Sequence, residues 1–385
     1  MWALQKISQT CNIYCFCIQY NLYACALMDK CAQSKSEEHG GYADMSEMIK
    51  IVLDAMGGDY APAVPIEGAV KVLEDTQNVK LFLVGRENEI RGELAKYTVD
   101  ESRIEIVPAQ DVIGFDEPPV QAIRKKKDSS IVVGMKLLKE GKADAFVSAG
   151  STGAVLVGGQ MVVGRIKGVE RSPLAPLIPT VDGVSLLIDC GANVDARPNM
   201  LVQFAQMGSI YMKNVMGLEN PRVAIVNIGA EEEKGNALVK ETYPLLKECK
   251  DINFIGSIEG RDIPKGAADV IVCEAFTGNV ILKLYEGLGS ALIGKVKQGL
   301  MTSLRSKIGG ILIKPALKKT LKSFDASEYG GAPMLGLKGL VVKAHGSSSA
   351  REISTAIKQC VTFGEQHIND QIKENLVVKT ETKSE

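Results

Sequence analysis

From Ile49 onward the chain alternates short apolar runs with stretches whose apolar residues recur at helical spacing. IKIVLD (49–54) leads into PIEGAVKVLED, and VKLFLVG (79–85), RIEIVPA (103–109), DAFVSAG (144–150) and VSLLIDCG (184–191) read as further strands. So do RVAIVNIG (222–229), INFIGS (252–257), DVIVCEA (269–275) and GLVVKAHG (339–346). Nearly continuous Val/Ile/Leu runs suit strands buried on both faces, and strands alternating with helices favour parallel pairing. The pattern predicts an α/β fold with a mainly parallel, doubly wound sheet. No fixed period repeats, which argues against a solenoid.

The first 47 residues break this pattern. They hold the single Trp and five of the nine cysteines (Cys11, Cys15, Cys17, Cys25 and Cys31), without the paired spacing of a zinc site. Their apolar portion is interrupted by Gln19 and Asn21, so it makes a poor signal peptide. The reading is an extension over 1–47, disordered or not native, with translation starting at Met45 or Met48. A single α/β catalytic domain then spans 48–375, and a polar tail spans 376–385. Cys190, Cys249, Cys273 and Cys360 lie in or beside apolar runs and read as buried free thiols of a reducing compartment.

Charge narrows the partners. Formal net charge is −1, so no global field draws the chain to nucleic acid. The longest apolar stretch, AVLVGGQMVVG (154–164), falls short of the roughly 20 residues that span a bilayer. One region departs from the even balance. Residues 295–325 carry Lys295, Lys297, Arg305, Lys307, Lys314, Lys318, Lys319 and Lys322 against one Asp, with Leu300, Leu304 and Ile308 spaced by four. This reads as a protruding basic arm, two helices joined at a bend near Gly309–Gly310 and Pro315. Such an arm suits a dimer interface, or a tip that dips apolar side chains into a bilayer while lysines meet anionic lipid.

In a parallel sheet, ligands gather beyond the carboxyl ends of the strands. After IVLD comes AMGGD; after AFV, SAGSTGA; after LLID, CGANVDARP; after VAIV, NIGAEEEKGN; after VIV, CEAFTGN; after LVVK, AHGSSSA. Glycine lets backbone approach a ligand, and Ser, Thr and Asn add neutral donors. Six such ends at one edge predict a shared anion-binding crevice. Nucleotide motifs fail: no GxGxxG follows the first strand, and GSALIGKV (289–296) has Val296 where a P-loop needs Ser or Thr.

Taken in order, DAMGGD, SAGSTGA, DCGANVDARPNMLVQFAQMGSIY, NIGAEEEKGN, EAFTGNVILKLYEG and AHGSSSA resemble the bacterial phosphate acyltransferases of phospholipid synthesis, over roughly residues 48 to 375. The resemblance implies an isocitrate/isopropylmalate dehydrogenase-like fold related to phosphotransacetylases, and a homodimer without cofactor or metal. It implies transfer of a fatty acyl group from acyl carrier protein to inorganic phosphate. It also implies a cytoplasmic enzyme held peripherally at the inner face of the membrane, whose acyl phosphate passes to a membrane glycerol-3-phosphate acyltransferase.

Phosphate attacking a thioester needs positioning and an oxyanion cradle more than covalent help. SAGSTGA reads as that cradle, through Ser151, Thr152 and the amides near Gly150 and Gly153. Gly57, Gly58, Asp59, Thr277, Gly278, Ser347 and Ser348 join it as phosphate or substrate contacts, and Asn193 as an amide donor. Asp54 and Asp59 also read as turn caps that orient donors. Lys234 and Lys283 are candidate charges, with Asn279 sharing a helix face with Lys283. His345 is a candidate proton donor to the departing thiol. A thiol nucleophile at Cys190 or Cys273 is disfavoured, since neither has a histidine nearby in sequence. RKKKD (124–128), ahead of a helix starting near Ser129, is either a docking patch for an acidic carrier or an ordinary solvated run. The alternatives are a phosphotransacetylase-like enzyme using coenzyme A, a dehydrogenase lacking its nicotinamide and acidic-metal residues, and a membrane scaffold.

Overall fold

The computed structural model describes residues 48–322 and 329–381. The readings of the first 47 residues and of the end of the tail fall outside that span, as do the side chains of Lys319 and Lys322.

The strands in chain order are β1 (Ile49–Asp54), β2 (Val79–Gly85), β3 (Ile104–Pro108), β4 (Ala145–Ser148), β5 (Leu177–Thr180) and β6 (Gly183–Ile188). They continue with β7 (Arg222–Val226), β8 (Asn253–Ile258), β9 (Val270–Val272), β10 (Ala332–Met334) and β11 (Leu340–Lys343). The helices are α1 (Ala63–Asp75), α2 (Glu87–Leu94), α3 (Pro119–Lys125), α4 (Ser130–Lys139), α5 (Thr152–Gly158) and α6 (Pro198–Met216). After them come α7 (Ala237–Glu248), α8 (Ala275–Leu300), α9 (Leu304–Lys322), α10 (Ala350–Glu365) and α11 (Ile368–Glu381).

The α/β reading holds, in two sheets rather than one. The first runs β10-β11-β4-β1-β2-β3 and the second β5-β6-β9-β7-β8. Every pairing is parallel except β10 on β11 and β5 on β6. Those two antiparallel edge strands are the ones the hydrophobic pattern misses. Pro179 sits in β5 and Pro333 in β10, and proline reads as a strand breaker except on an edge, where an amide is not needed. The opposite edges are also interrupted: β3 ends on Pro108, and β8 pairs with β7 through a register shift at Val223/Ala224.

One hydrophobic core runs through both sheets. Ile51, Leu53 and Leu81 belong to the same buried cluster as Leu186, Ile188, Val223 and Val270. Phe204, Met207 and Tyr211 of α6 lie in that cluster too. The buried Tyr211 hydroxyl accepts 2.7 Å from the Gln359 amide of α10, so the polar atom is satisfied and two helices are tied.

The basic arm divides elsewhere than predicted. Helix α8 runs unbroken to Leu300, α9 starts at Leu304, and α9 continues through Gly309, Gly310 and Pro315. The turn is set by hydroxyls: Thr302 Oγ1 donates to the Gly299 carbonyl at 2.8 Å, and Ser303 Oγ accepts from the Ser306 amide at 3.1 Å. A local cap outweighs glycine and proline propensity here. Ser129 does cap α4, accepting from the Val132 amide.

Candidate active site

The six Gly/Ser-rich ends fall into two triplets, not one row. AHGSSSA, SAGSTGA and AMGGD follow β11, β4 and β1, three neighbours in the first sheet. CGANVDARP, CEAFTGN and NIGAEEEKGN follow β6, β9 and β7, three neighbours in the second.

Each triplet is locked by a buried carboxylate. Asp54, ending β1, accepts from Ser148 Oγ at 2.7 Å and from the Met56 amide at 3.1 Å. The same Ser148 hydroxyl accepts the Gly150 amide at 3.0 Å, so one carboxylate fixes two loops. Gly57 packs so closely that a Cβ there would lie 2.5 Å from Asp54 Oδ2 and 2.7 Å from the Gly150 nitrogen. Burial pushes the Asp54 carboxyl up, against the opposing pull of hydrogen bonds from Ser130, Ser148 and Met56 and of the Lys343 charge. Asp54 thus orients donors from within the protein, as its reading as a turn cap expects.

In the second sheet Asp189 does the same work. Its Oδ1 accepts the amides of Leu174 (2.9 Å) and Ala192 (3.2 Å), and its Oδ2 accepts the Asn193 amide (2.8 Å). Both Asn193 side-chain hydrogens are taken, one by Asp189 Oδ2 at 2.7 Å and one by the Ser172 carbonyl at 3.0 Å. Asn193 is therefore a loop clamp rather than the substrate donor the sequence suggests. Thr277 is likewise occupied: its hydroxyl donates to Glu274, which caps α8. Gly278 lets α8 start against the Asp189 loop, where a Cβ would fall 1.9 Å from the Asp189 carbonyl oxygen.

A cleft of 1180 Å³ opens where strand ends of the two sheets meet. Of the predicted residues, Thr152, Asn279, Lys283, His345, Ser347 and Ser348 line it. Gly57, Gly58, Asp59, Gly150, Ser151 and Gly153 do not, but they shape the loops behind it. Ser151 caps α5, and Gly153 packs on Pro119, where a Cβ would meet Cγ at 2.5 Å. Lys234 lies past β7, paired with Glu231 at 2.8 Å, and is absent from the lining. The lining also includes the apolar Leu174, Leu177, Ile178, Leu282, Ile293 and Leu317.

Charge in the cleft is mixed. Lys283 pairs with Glu286 at 2.7 Å, both facing the opening. His345 Nδ1 lies 2.8 Å from Ser347 Oγ and accepts the Ser347 amide at 3.2 Å. A neutral ring that accepts at Nδ1 carries its proton on Nε2. The thiols are passive: burial pushes both Cys190 and Cys273 well above the ordinary cysteine range, which removes the thiolate a nucleophile needs.

Sequence reasoning missed Lys343, the last residue of β11, which lines the cleft while only 7% exposed. Burial pulls its ammonium down from 10.5 to about 8, opposed by the charge of Asp54 and assisted by that of Lys283. A signal existed. A lysine closing a strand buried on both faces has no solvent face to reach, so it must face a cleft or a counter-charge.

A family model described as "Fatty acid synthesis protein" matches residues 49–371. The chain is 48% identical over 331 residues to a phosphate acyltransferase of Clostridium novyi (strain NT), covering 86% of this chain and 99% of that one. It is 50% identical over 328 residues to a phosphate acyltransferase of Alkaliphilus oremlandii (strain OhILAs), covering 85% and 97%. Among solved structures, a phosphotransacetylase from Streptococcus pyogenes superposes with a TM-score of 0.57 at 17% identity, covering 84% of this chain and 94% of that one.

Proposed function

Since this chain belongs to the phosphate acyltransferase family, we propose that its acyl donor is the thioester of a fatty acyl carrier protein and that its product is an acyl phosphate for phospholipid synthesis. The observation that carries the reading is the mixed lining of the cleft. It offers Thr152, Asn279, His345, Ser347 and Ser348, donors suited to phosphate and to a thioester oxygen, together with apolar side chains suited to a fatty chain.

The chemistry balances without a covalent enzyme intermediate. An oxygen of the hydrogen phosphate dianion attacks the thioester carbonyl carbon and forms the C–O bond. Negative charge gathers on the carbonyl oxygen, where neutral donors stabilise it. The C–S bond then breaks and the sulfur leaves with its electron pair. The proton of the hydrogen phosphate ends on that sulfur, giving acyl phosphate and free thiol, while His345 donates its Nε2–H hydrogen bond to the developing charge and keeps its own proton.

Two surface features extend the proposal. Along α8, Phe276, Val280, Leu284, Leu288, Leu292 and Val296 recur every four residues and are exposed. Such a stripe on one helix supports a homodimer built on α8. Leu304, Ile308, Ile311 and Leu312 of α9 are also exposed, beside Arg305, Lys307, Lys314 and Lys318. That combination supports a cytoplasmic enzyme resting on an anionic membrane, where a membrane acyltransferase using glycerol 3-phosphate would receive the product. No helix among the described residues is long and apolar enough to cross a bilayer.

The test follows thiol release from palmitoyl-acyl carrier protein by the purified protein, with and without inorganic phosphate. Phosphate-dependent release is the expected result. Release only from palmitoyl-coenzyme A would replace the carrier protein with a coenzyme A donor.

A further inference from the structure

Inorganic phosphate is a small dianion, and the neutral donors around the cleft do not by themselves balance two charges. Lys283 lines the cleft but is already paired with Glu286. Lys343 differs. It is the single lysine or arginine that is buried among the described residues, and it borders the cleft together with Thr152, Ser347 and Ser348. An ammonium carries three N–H bonds. One is directed to the carbonyl of Ala344. The side chain's surroundings are otherwise protein and the cleft.

Its backing is built across three adjacent strand ends. Lys343 stands in register with Ser148 on β4, and Ser148 donates to Asp54 on β1. Two strand spacings put roughly 10 Å between the β11 and β1 backbones. Asp54 therefore supports the ammonium by charge across β4, together with Asp59, rather than closing on it. Lys283 opposes them from α8, and His345, Glu286, Arg351 and Glu352 border the same cleft.

We propose that Lys343 is a catalytic residue that holds the attacking phosphate, its ammonium forming the seat for the dianion with the hydroxyls of Thr152, Ser347 and Ser348, and that Asp54 is a positioning residue acting on Lys343 by charge across β4. The inference rests on the acyl-transfer reading for its role in catalysis, but the seat for phosphate stands as a binding site in its own right. A phosphate dianion beside the ammonium offsets the cost of its burial, which pulls its value down to about 8.

The experiment pairs kinetics with direct binding on the full chain. In Lys343→Met, KM for phosphate rises roughly 10- to 100-fold while KM for the acyl thioester stays within about twofold, the size of a lost charge-assisted hydrogen bond. Lys343→Arg keeps the charge and recovers part of the loss. Calorimetric titration of the wild type with inorganic phosphate shows affinity falling roughly 10-fold between about pH 7.5 and about pH 9.5, as the ammonium deprotonates; this also decides the matter if Lys343→Met does not fold. Asp54→Asn, which removes the carboxylate whose charge favours the ammonium, moves that fall to lower pH. Unchanged phosphate KM in folded Lys343→Met, or wild-type affinity flat across that range, overturns the inference. Absence of thiol release from either donor, with Lys343-dependent phosphate binding intact, overturns the acyl-transfer reading and upholds the seat.

Discussion

At the scale of single residues, the glycines and carboxylates do more than their short loops suggest. Gly278 is irreplaceable on steric grounds, because a Cβ would sit 1.9 Å from a backbone oxygen that cannot rotate away. Gly278→Ala should push the start of α8 outward and carry Asn279 and Lys283 with it. The expected cost is roughly 2–4 kcal/mol in chemical denaturation and about a 100-fold loss of kcat/KM; near-normal values would mean the helix start adapts freely. Lys343 predicts the opposite balance of stability and activity. Its folded value lies below its unfolded one, so the unfolded chain binds more protons between about 8 and 10.5. The full penalty, on the order of 3–4 kcal/mol, is present below pH 8 and fades as pH climbs to 10.5. Wild-type stability measured against Lys343→Met should therefore rise across that window, and a flat difference would mean that the lysine is not strained by burial. Which residues face the cleft was half legible. The loops carrying Thr152, Asn279, His345, Ser347 and Ser348 announce themselves by composition, whereas Asn193 and Thr277 look identical in sequence to ligand donors and are held by Asp189 and Glu274. Only spatial neighbours distinguish the two cases.

At the scale of elements, the hydrophobic pattern located nine strands through their Val/Ile/Leu runs, and it failed at β5 and β10, where proline and an edge position remove the signal. It also located both helices of the basic arm but not their junction, since three hydroxyl-bearing or flexible residues, Met301, Thr302 and Ser303, decide it through local hydrogen bonds. The α8 stripe is legible only after the helix is known to run unbroken from Ala275 to Leu300. If that stripe is the dimer seam, Leu288→Glu with Leu292→Glu places two charges opposite their own copies. Each buried leucine is worth about 1.5–3 kcal/mol, so sedimentation should show monomers at micromolar concentration. A dimer that survives both changes would move the seam away from α8.

At the scale of the whole molecule, the two sheets share one core, and the loops after β4, β11, β6 and β9 reach one cleft; the sequence reading expects a shared crevice but not its division between two sheets. A chain order cannot reveal that β9 inserts between β6 and β7. The near-neutral net charge gives the protein as a whole little pull toward an anionic surface, so any membrane affinity must reside in α9. Leu312, midway along α9, is 75% exposed. Leu312→Glu should abolish flotation with vesicles containing anionic lipid while leaving acyl transfer in solution unchanged, and wild-type flotation should weaken in high salt. Flotation that ignores both would place the membrane contact elsewhere.

The interrupted sheet edges also govern what the protein does when crowded. β10, β3 and β5 each contain a residue without an amide hydrogen, and β8 meets its neighbour out of step. None of the four can serve as an unbroken template for a strand from another molecule. Such edges disfavour strand-to-strand pairing between molecules and leave association to side chains on helices.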